Sequence, residues 1–168
     1  MAAKYIAQTS GGLAEVEGLQ SSAGAGDAGK IPALDSGGKI PVSMMPAGVG
    51  IEVLSLTASE NLSAGDLINV WNDSGTAKAR KADASNAYRA HGFVLSSVTS
   101  GQTASVYTDG KITGLTSLTR GATYYLAGSA GAVTATIPTT ATHIAQAVGF
   151  ASSDTEIVFN PGEPVTRA

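Results

Sequence analysis

Short apolar runs separated by turn residues fill the chain from residue 51 to its end. The runs are rich in β-branched and aromatic residues, and they lie at 51–57, 66–71, 76–82, 88–95, 104–108, 122–127, 132–137, 143–151 and 155–159. Gly, Asn, Asp and Ser cluster between them, for example at 72–75 and 128–131, and supply the residues that tight turns require. Nine short strands at this spacing predict an all-β domain over residues 51–168, either a compact β-barrel or a β-sandwich.

Alternation between the two faces of a strand is clearest at 143–151. Ile144, Gln146, Val148 and Phe150 are predicted to share one face of this strand. The other face carries mostly small residues, which would let a second sheet or a sister subunit approach closely.

The first 50 residues have a different pattern. They contain no Phe and no Trp, and their apolar residues are too dispersed for an independent core. Leu13, Val16 and Leu19 could line one face of a short helix, which the neighbouring glycines limit to two turns. The run at 21–29 has the composition of a flexible linker. We therefore predict an extended, largely non-helical N-terminal arm over residues 1–50, ending at a Gly48-Val49-Gly50 hinge.

A tandem repeat organises this arm. The tetrapeptide Gly-Lys-Ile-Pro at 29–32 returns at 38–41, and a Met-Met-Pro sequence follows at 44–46. Each proline restricts the residue before it to extended backbone, so the stretch is predicted not to be helical. A lone extended segment cannot offset an ordering entropy of about 1 to 2 kcal/mol per residue. It must therefore order against another surface, which could belong to the same chain, a sister subunit or a different protein.

Composition and charge narrow the function classes. The net charge is −3 and the ten Lys and Arg residues are scattered, which argues against a nucleic-acid partner. The chain has no cysteine, and therefore no disulfide, no thiolate zinc site and no cysteine nucleophile. No apolar run approaches the roughly 18 residues of a membrane span or forms a signal peptide, so we expect synthesis in the cytoplasm and no membrane partner.

Candidate chemical motifs are weak. Residues 24–30 match a glycine-rich phosphate loop, but Ile31 and Pro32 follow where a helix would have to begin, so a linker is the better interpretation. His91 and His143 lack a partner at metal-ligand spacing; we interpret both as ordinary strand residues, with an inter-subunit ion site or a pH-sensitive contact as the alternatives.

The densest basic cluster is Lys78, Arg80 and Lys81, and its pattern indicates a solvated edge strand protected from aggregation. The sequence contains no serine nucleophile elbow. We expect no enzyme activity, no cofactor and no metal, although a small hydrolase built from distant residues would leave no local motif.

Several segments together resemble a known family. They are the two GKI tripeptides with LD and MMP in the arm, LTASENLSAGDLINVWND at 56–73, KARKADA at 78–84, AHGFV at 90–94, LTRGATYYLAG at 118–128, QAVGFA at 146–151 and FNPGEP at 159–164. The chain is similar, over nearly its whole length, to the small capsid-decorating or cement proteins of tailed bacteriophages. Related signatures occur in phage fibre domains. The motifs are structural, and no catalytic residue is carried over.

The resemblance implies a virion structural protein on the outer capsid surface. Its β-domain would lie outside the shell, and its arm would bind the major capsid protein or sister arms, with a homotrimer favoured over a dimer. Ile40 and Met44 would lie on one face of an extended segment and fill partner pockets. The arm residues expected to make these contacts are Lys30, Ile31, Pro32, Leu34, Lys39, Ile40, Pro41, Met44, Met45 and Pro46.

A tail-fibre or receptor-binding module that contacts the host surface is the alternative. Such a module would expose loops that bind a host glycan or protein. The sequence has no aromatic-rich loop that could stack on sugars, which favours the capsid protein.

Overall fold

The computed structural model describes residues 4–22, 24–41, 44–45 and 52–168. The chain divides into two compact units, Met1–Gly50 and Ile51–Ala168. The predicted glycine hinge at 48–50 lies outside the described residues. Each unit is described by itself.

The described part of the first unit contains a β-hairpin and a short turn of 3-10 helix. Its elements are Lys4–Thr9 (β1), Gly12–Glu17 (β2) and a 3-10 turn at Ala25–Asp27. The predicted short helix is wrong, because Leu13 and Val16 lie in β2 and pair with β1. Gly12, with a φ of 112°, follows the two-residue turn, and Thr9 Oγ1 donates to its carbonyl oxygen at 2.9 Å. A glycine after a two-residue turn favours a hairpin over a helix.

The second unit is all-β, which confirms the predicted fold class. Its strands are Val53–Ala58 (β3), Leu67–Asp73 (β4), Thr76–Lys81 (β5), Gly92–Phe93 (β6), Thr103–Tyr107 (β7), Gly110–Ile112 (β8), Thr123–Leu126 (β9), Val133–Thr134 (β10), Ile144–Ala145 (β11), Ala147–Ala151 (β12), Ile157–Phe159 (β13) and Val165–Thr166 (β14). Each of the nine predicted runs contains a strand. The run at 143–151 contains two, and the short strands β8 and β14 were not predicted.

The strands form a closed five-stranded barrel and two further sheets. The barrel order is β3-β5-β4-β6-β7, and β7 pairs with β3 to close it. A five-stranded sheet has the order β10-β9-β12-β13-β8, and β11 pairs with β14. All these pairs are antiparallel except β3 with β5, which pair in parallel over a short stretch.

Two apolar cores occupy this unit, one inside the barrel and one between the barrel wall and the five-stranded sheet. Neighbouring residues of the same strand contribute to different cores: Leu67 packs toward the sheet and Ile68 toward the barrel interior, and both are fully buried. Phe93 lies at the junction, with its ring 5.3 Å from that of Phe159. Burial on both sides explains why β4 begins with consecutive apolar residues, whereas β3 and β7 alternate between exposed and at least partly buried positions.

A β-bulge interrupts the alternation predicted for 143–151. Ala147 pairs with Tyr125 and Gly149 with Tyr124, which leaves Val148 as an extra residue. The side chains of Ile144, Gln146 and Val148 are buried as one face, but Phe150 is 46% exposed. Placing Phe150 on that face was therefore wrong, because the extra residue reverses the alternation after Val148.

The edge-strand interpretation of Lys78, Arg80 and Lys81 is also wrong. Strand β5 lies between β3 and β4 in the barrel. Lys78 forms an ion pair with Asp73 at 2.6 Å, and Lys81 forms one with Asp66 at 3.2 Å. The Arg80 guanidinium stacks on aromatic rings instead of pointing into solvent.

Candidate partner-binding surface

The first copy of the repeat is ordered against its own unit. Leu19 N donates to Ile31 O at 3.0 Å, and Ala33 N donates to Leu19 O at 2.7 Å, so the segment after β2 and the repeat form a short parallel bridge. Ile31 N also donates to the Tyr5 hydroxyl at 3.4 Å. The sequence left open whether this segment orders against the same chain, a sister subunit or a different protein. For the backbone of residues 31–33, the ordering surface belongs to the same chain.

Asp35 forms the turn that separates the two copies. Its Oδ1 accepts from the backbone N–H groups of Gly37 at 2.8 Å and Lys39 at 3.0 Å, and its own N–H donates to Lys39 O at 2.8 Å. Asp and Gly favour such turns because the carboxylate can bond the backbone two residues on and glycine tolerates a positive φ, here 72° at Gly38. The turn therefore places a chain reversal between the two Gly-Lys-Ile-Pro copies.

The apolar side chains of the repeat remain exposed although the backbone is ordered. Ile31 is 52% exposed and Ile40, at the same position of the second copy, is 49% exposed. Leu34 and Met45 are exposed as well. Among the described residues of this unit the only buried hydrophobic residue is Ala33. These side chains therefore have no core of their own to fill.

A small cleft of about 140 Å³ lies beside the repeat. Lys30, Pro32 and Met44 line it together with Leu19, Ser22 and Asp27. Lys30 Nζ forms an ion pair with Asp27 Oδ1 at 2.8 Å, which fixes one wall. Residues 25–27 of this segment form a 3-10 turn, and no helix of phosphate-loop type follows them in the described chain.

The extended geometry predicted for Ile40 and Met44 is wrong. Met44 N donates to Pro41 O at 3.0 Å, so the chain turns between these positions. Met44 is half-buried beside the cleft, whereas Ile40 is exposed. Among the other predicted contact residues, Lys39 is exposed and Pro41 is half-buried, and Pro46 lies outside the described residues.

Two exposed apolar residues of the hairpin were missed by sequence reasoning. Ile6 is 66% exposed and Leu13 is 76% exposed, and both lie on the same face of the β1–β2 pair as Lys4 and Glu15. The signal was present in the sequence, because two six-residue runs flank a Ser-Gly turn. The hairpin therefore exposes two apolar side chains in addition to those of the repeat.

The two histidines, His91 and His143, have different surroundings in the second unit. His91 Nδ1 accepts from Val70 N–H at 2.9 Å, and the Arg89 guanidinium lies beside the ring. Burial and then the charge of Arg89 lower the pKa of His91. His143 lines a groove formed largely by residues 134–140. Within the part of the chain that the structure describes, no group of three or more metal-binding side chains lies together.

No family model, curated protein or solved structure matches the chain. In the described ranges, no helix has the length and apolar character needed to cross a membrane.

Proposed function

We propose that the chain is a virion structural protein that decorates and stabilises the expanded capsid of a tailed bacteriophage, and that residues 1–50 bind the major capsid protein. The proposal begins from the sequence resemblance to capsid-decorating proteins. One observation carries it further: the unit Met1–Gly50 exposes both repeat isoleucines, Ile31 and Ile40, and backbone hydrogen bonds are made by Ile31 itself and by the two neighbours of Ile40.

Exposed apolar side chains on ordered backbone favour binding for a physical reason. Each Ile, Leu or Met side chain that becomes buried contributes about 1.5 to 3 kcal/mol to the binding free energy. Less of this is offset by the entropy of ordering when the backbone is already fixed before binding. The outer edges of the hairpin, which have no further strand among the described residues, can also pair with a neighbouring sheet, where backbone hydrogen bonds add affinity. In this proposal Ile31 and Ile40 are the two apolar anchors that the repeat supplies to the capsid.

Binding to only the expanded shell would stabilise that shell. A ligand that binds one of two states shifts the equilibrium toward it by mass action. In this proposal the β-unit Ile51–Ala168 is carried on the outer surface and contributes little to attachment.

We further propose that the protein acts as a homo-oligomer, with a trimer favoured by the family resemblance. A closed ring would use the same apolar patch of each copy repeatedly. Sedimentation at micromolar concentration should show a species larger than the monomer; a monomer alone would contradict assembly before attachment.

Attachment is tested with a truncated chain that begins at Ile51. We expect this chain to retain the melting temperature of the β-unit and to lose most binding to expanded capsids in a co-sedimentation assay. The full chain is the positive control, and unexpanded capsids are the control for state selectivity. Equal binding by the truncated chain would contradict the proposal, and binding of the truncated chain to host cells instead would support the tail-fibre alternative.

A further inference from the structure

The link between the barrel and the five-stranded sheet carries a chemically reactive dipeptide. Strand β7 ends at Tyr107 and β8 begins at Gly110, so Thr108 and Asp109 form the whole link between these two strands. Asp109-Gly110 is the one Asp-Gly dipeptide of the sequence, which contains no Asn-Gly dipeptide. The link belongs to the second unit and takes no part in the proposed capsid attachment.

The carboxyl group of Asp109 lies against the backbone nitrogen of the next residue. Gly110 N donates to Asp109 Oδ1 at 2.7 Å. Because Cγ is bonded to that oxygen, the carboxyl carbon also lies close to the nitrogen, and a succinimide ring closes when these two atoms join. Asp109 is exposed, so water reaches the group. Holding a nucleophile beside the atom that it attacks favours an intramolecular reaction.

Glycine at position 110 leaves the attacking nitrogen unshielded. A β-carbon on the residue after an aspartate crowds this nitrogen during ring closure. The φ of Gly110 is 113°, a backbone conformation that residues with a side chain rarely adopt. The start of β8 therefore requires the same glycine that makes the neighbouring aspartate reactive.

Asp35, in an exposed turn of the first unit, provides a contrast. Its Oδ1 accepts from the N–H groups of Gly37 at 2.8 Å and Lys39 at 3.0 Å, which lie two and four residues further along the chain. The residue that follows it is Ser36, which carries a β-carbon. Asp35 is therefore an internal control that has the exposure of Asp109 without its reactive geometry.

We propose that Asp109 is a site of spontaneous isoaspartate formation in the folded protein. The Gly110 nitrogen attacks Cγ of the protonated carboxyl group, the N–Cγ bond forms, a Cγ–O bond breaks, and the amide proton leaves with the hydroxyl group as water. Water then opens the succinimide. Attack at the main-chain carbonyl leaves the chain linked through the Asp109 side chain, as isoaspartate, and attack at Cγ restores aspartate. Nothing is oxidised or reduced, and water is the only co-reactant.

Isoaspartate adds one carbon to the main chain between β7 and β8, where both ends of the link are held. Thr108 N donates to Glu52 O at 3.2 Å. On the other side, Gly110 pairs with Phe159. Because β8 is an edge strand of its sheet, the displacement falls on this strand, which carries the fully buried Ile112. The modified chain should therefore melt at a lower temperature than the unmodified chain.

The test is incubation of the full chain for several weeks at physiological temperature and neutral pH in water labelled with heavy oxygen, followed by peptide mapping by mass spectrometry. Opening of the ring by labelled water leaves a labelled oxygen at residue 109, and electron-transfer fragmentation distinguishes isoaspartate from aspartate. We expect isoaspartate at Asp109 to reach about ten times or more the level at Asp35. Equal levels at the two positions would overturn the proposal. So would isoaspartate at Asp109 that forms only in a parallel sample unfolded in urea, since the proposal concerns the folded chain.

Two variants at the same position test the chemistry. Asp109→Glu keeps the charge but would have to close a larger, less favourable ring, so the labelled oxygen at residue 109 should be lost. Asp109→Asn, from which ammonia leaves more readily than water leaves the acid, should form the ring about tenfold faster or more. Because the position is exposed, both fresh variants should melt within a degree or two of wild type. Persistent labelling in Asp109→Glu, or no acceleration in Asp109→Asn, would refute the mechanism.

Discussion

Individual polar side chains form hydrogen bonds between segments that are not joined by strand pairing. Gln146 joins the loop at Ala90 to the C-terminal segment at Gly162, and Asn69 accepts from Arg80 Nε at 2.9 Å while donating to Arg89 O. Neither role could be predicted from the sequence. Gln146 was placed on the correct face of its strand, but its hydrogen-bond partners lie 16 and 56 residues away in the chain.

Replacing Gln146 with Leu should destabilise the second unit strongly. The substitution leaves the buried Ala90 N–H without its acceptor and two carbonyl groups without their donor, and each unsatisfied buried group costs about 1 to 3 kcal/mol. We expect a total loss of about 3 kcal/mol or more in the free energy of unfolding, measured by urea denaturation. Gln102→Leu, at an exposed turn, is the control and should change stability by less than about 0.5 kcal/mol. Similar effects of the two substitutions would contradict this role of Gln146.

His91 should make stability depend on pH near neutrality. Burial and the Arg89 charge lower the pKa of His91 from its ordinary value of 6.5, so between the two values the unfolded chain binds more protons than the folded one. The stabilisation is fully present above pH 6.5 and is lost as the pH falls toward the folded pKa.

The measurement is the melting temperature as a function of pH. Wild type should lose stability as the pH falls below 6.5, and His91→Gln should show a flatter dependence over the same range. The pKa of Asp83 is also lowered: burial alone would raise it, but the hydrogen bonds from Ser85 and Asn86 together outweigh burial. The stability that this carboxylate contributes is present above about pH 3.8 and is lost only as the pH falls below that value, outside the range in which His91 titrates. Identical pH profiles for wild type and His91→Gln would exclude His91 as the cause.

The strands lie where the sequence pattern predicts them, except where the backbone departs from regular strand pairing. The nine apolar runs predicted strands because clusters of β-branched and aromatic residues are separated by turn residues along the second unit. The bulge at Val148 could not be predicted, since one extra residue leaves no compositional trace. The first hairpin was misread because Leu13, Val16 and Leu19 satisfy a helical spacing as well as part of a strand pattern.

Replacing Gly149 with Ala tests the bulge directly. The φ of Gly149 is 146°, and a Cβ there would lie 1.9 Å from Val158 O, so β12 and β13 would have to separate. We expect a loss of about 3 kcal/mol or more in the free energy of unfolding. Gly114→Ala separates the effect of the positive φ from the effect of the steric clash, because Gly114 has a φ of 80° but open space around it. This substitution should lower the free energy of unfolding by about 1 kcal/mol. Equal losses of stability in the two variants would show that the positive φ alone, without the steric clash, accounts for the need for glycine at position 149.

At the scale of the whole molecule, apolar surface is distributed unequally between the two units. The second unit contains both extended cores, whereas the described part of the first exposes Ile6, Leu13 and the side chains of the repeat. The sequence predicted that apolar residues of the repeat would lack a core of their own, and Ile31, Leu34 and Ile40 are exposed, whereas Pro41 and Met44 are half-buried. It did not predict that the same unit orders the first repeat, because the bond between Leu19 and Ile31 depends on a hairpin that was read as a helix.

The most direct test of the proposed attachment is capsid co-sedimentation of the double variant Ile31→Asp/Ile40→Asp. Both residues are exposed, so the melting temperature should stay within a degree or two of wild type, while binding to expanded capsids should fall well over a hundredfold. The matched control is Ile137→Asp/Val165→Asp, which places the same charges on exposed apolar residues of the second unit and should bind normally. Unchanged binding by the Ile31→Asp/Ile40→Asp variant, with a normal melting temperature, would contradict the claim that the repeat anchors the protein to the capsid.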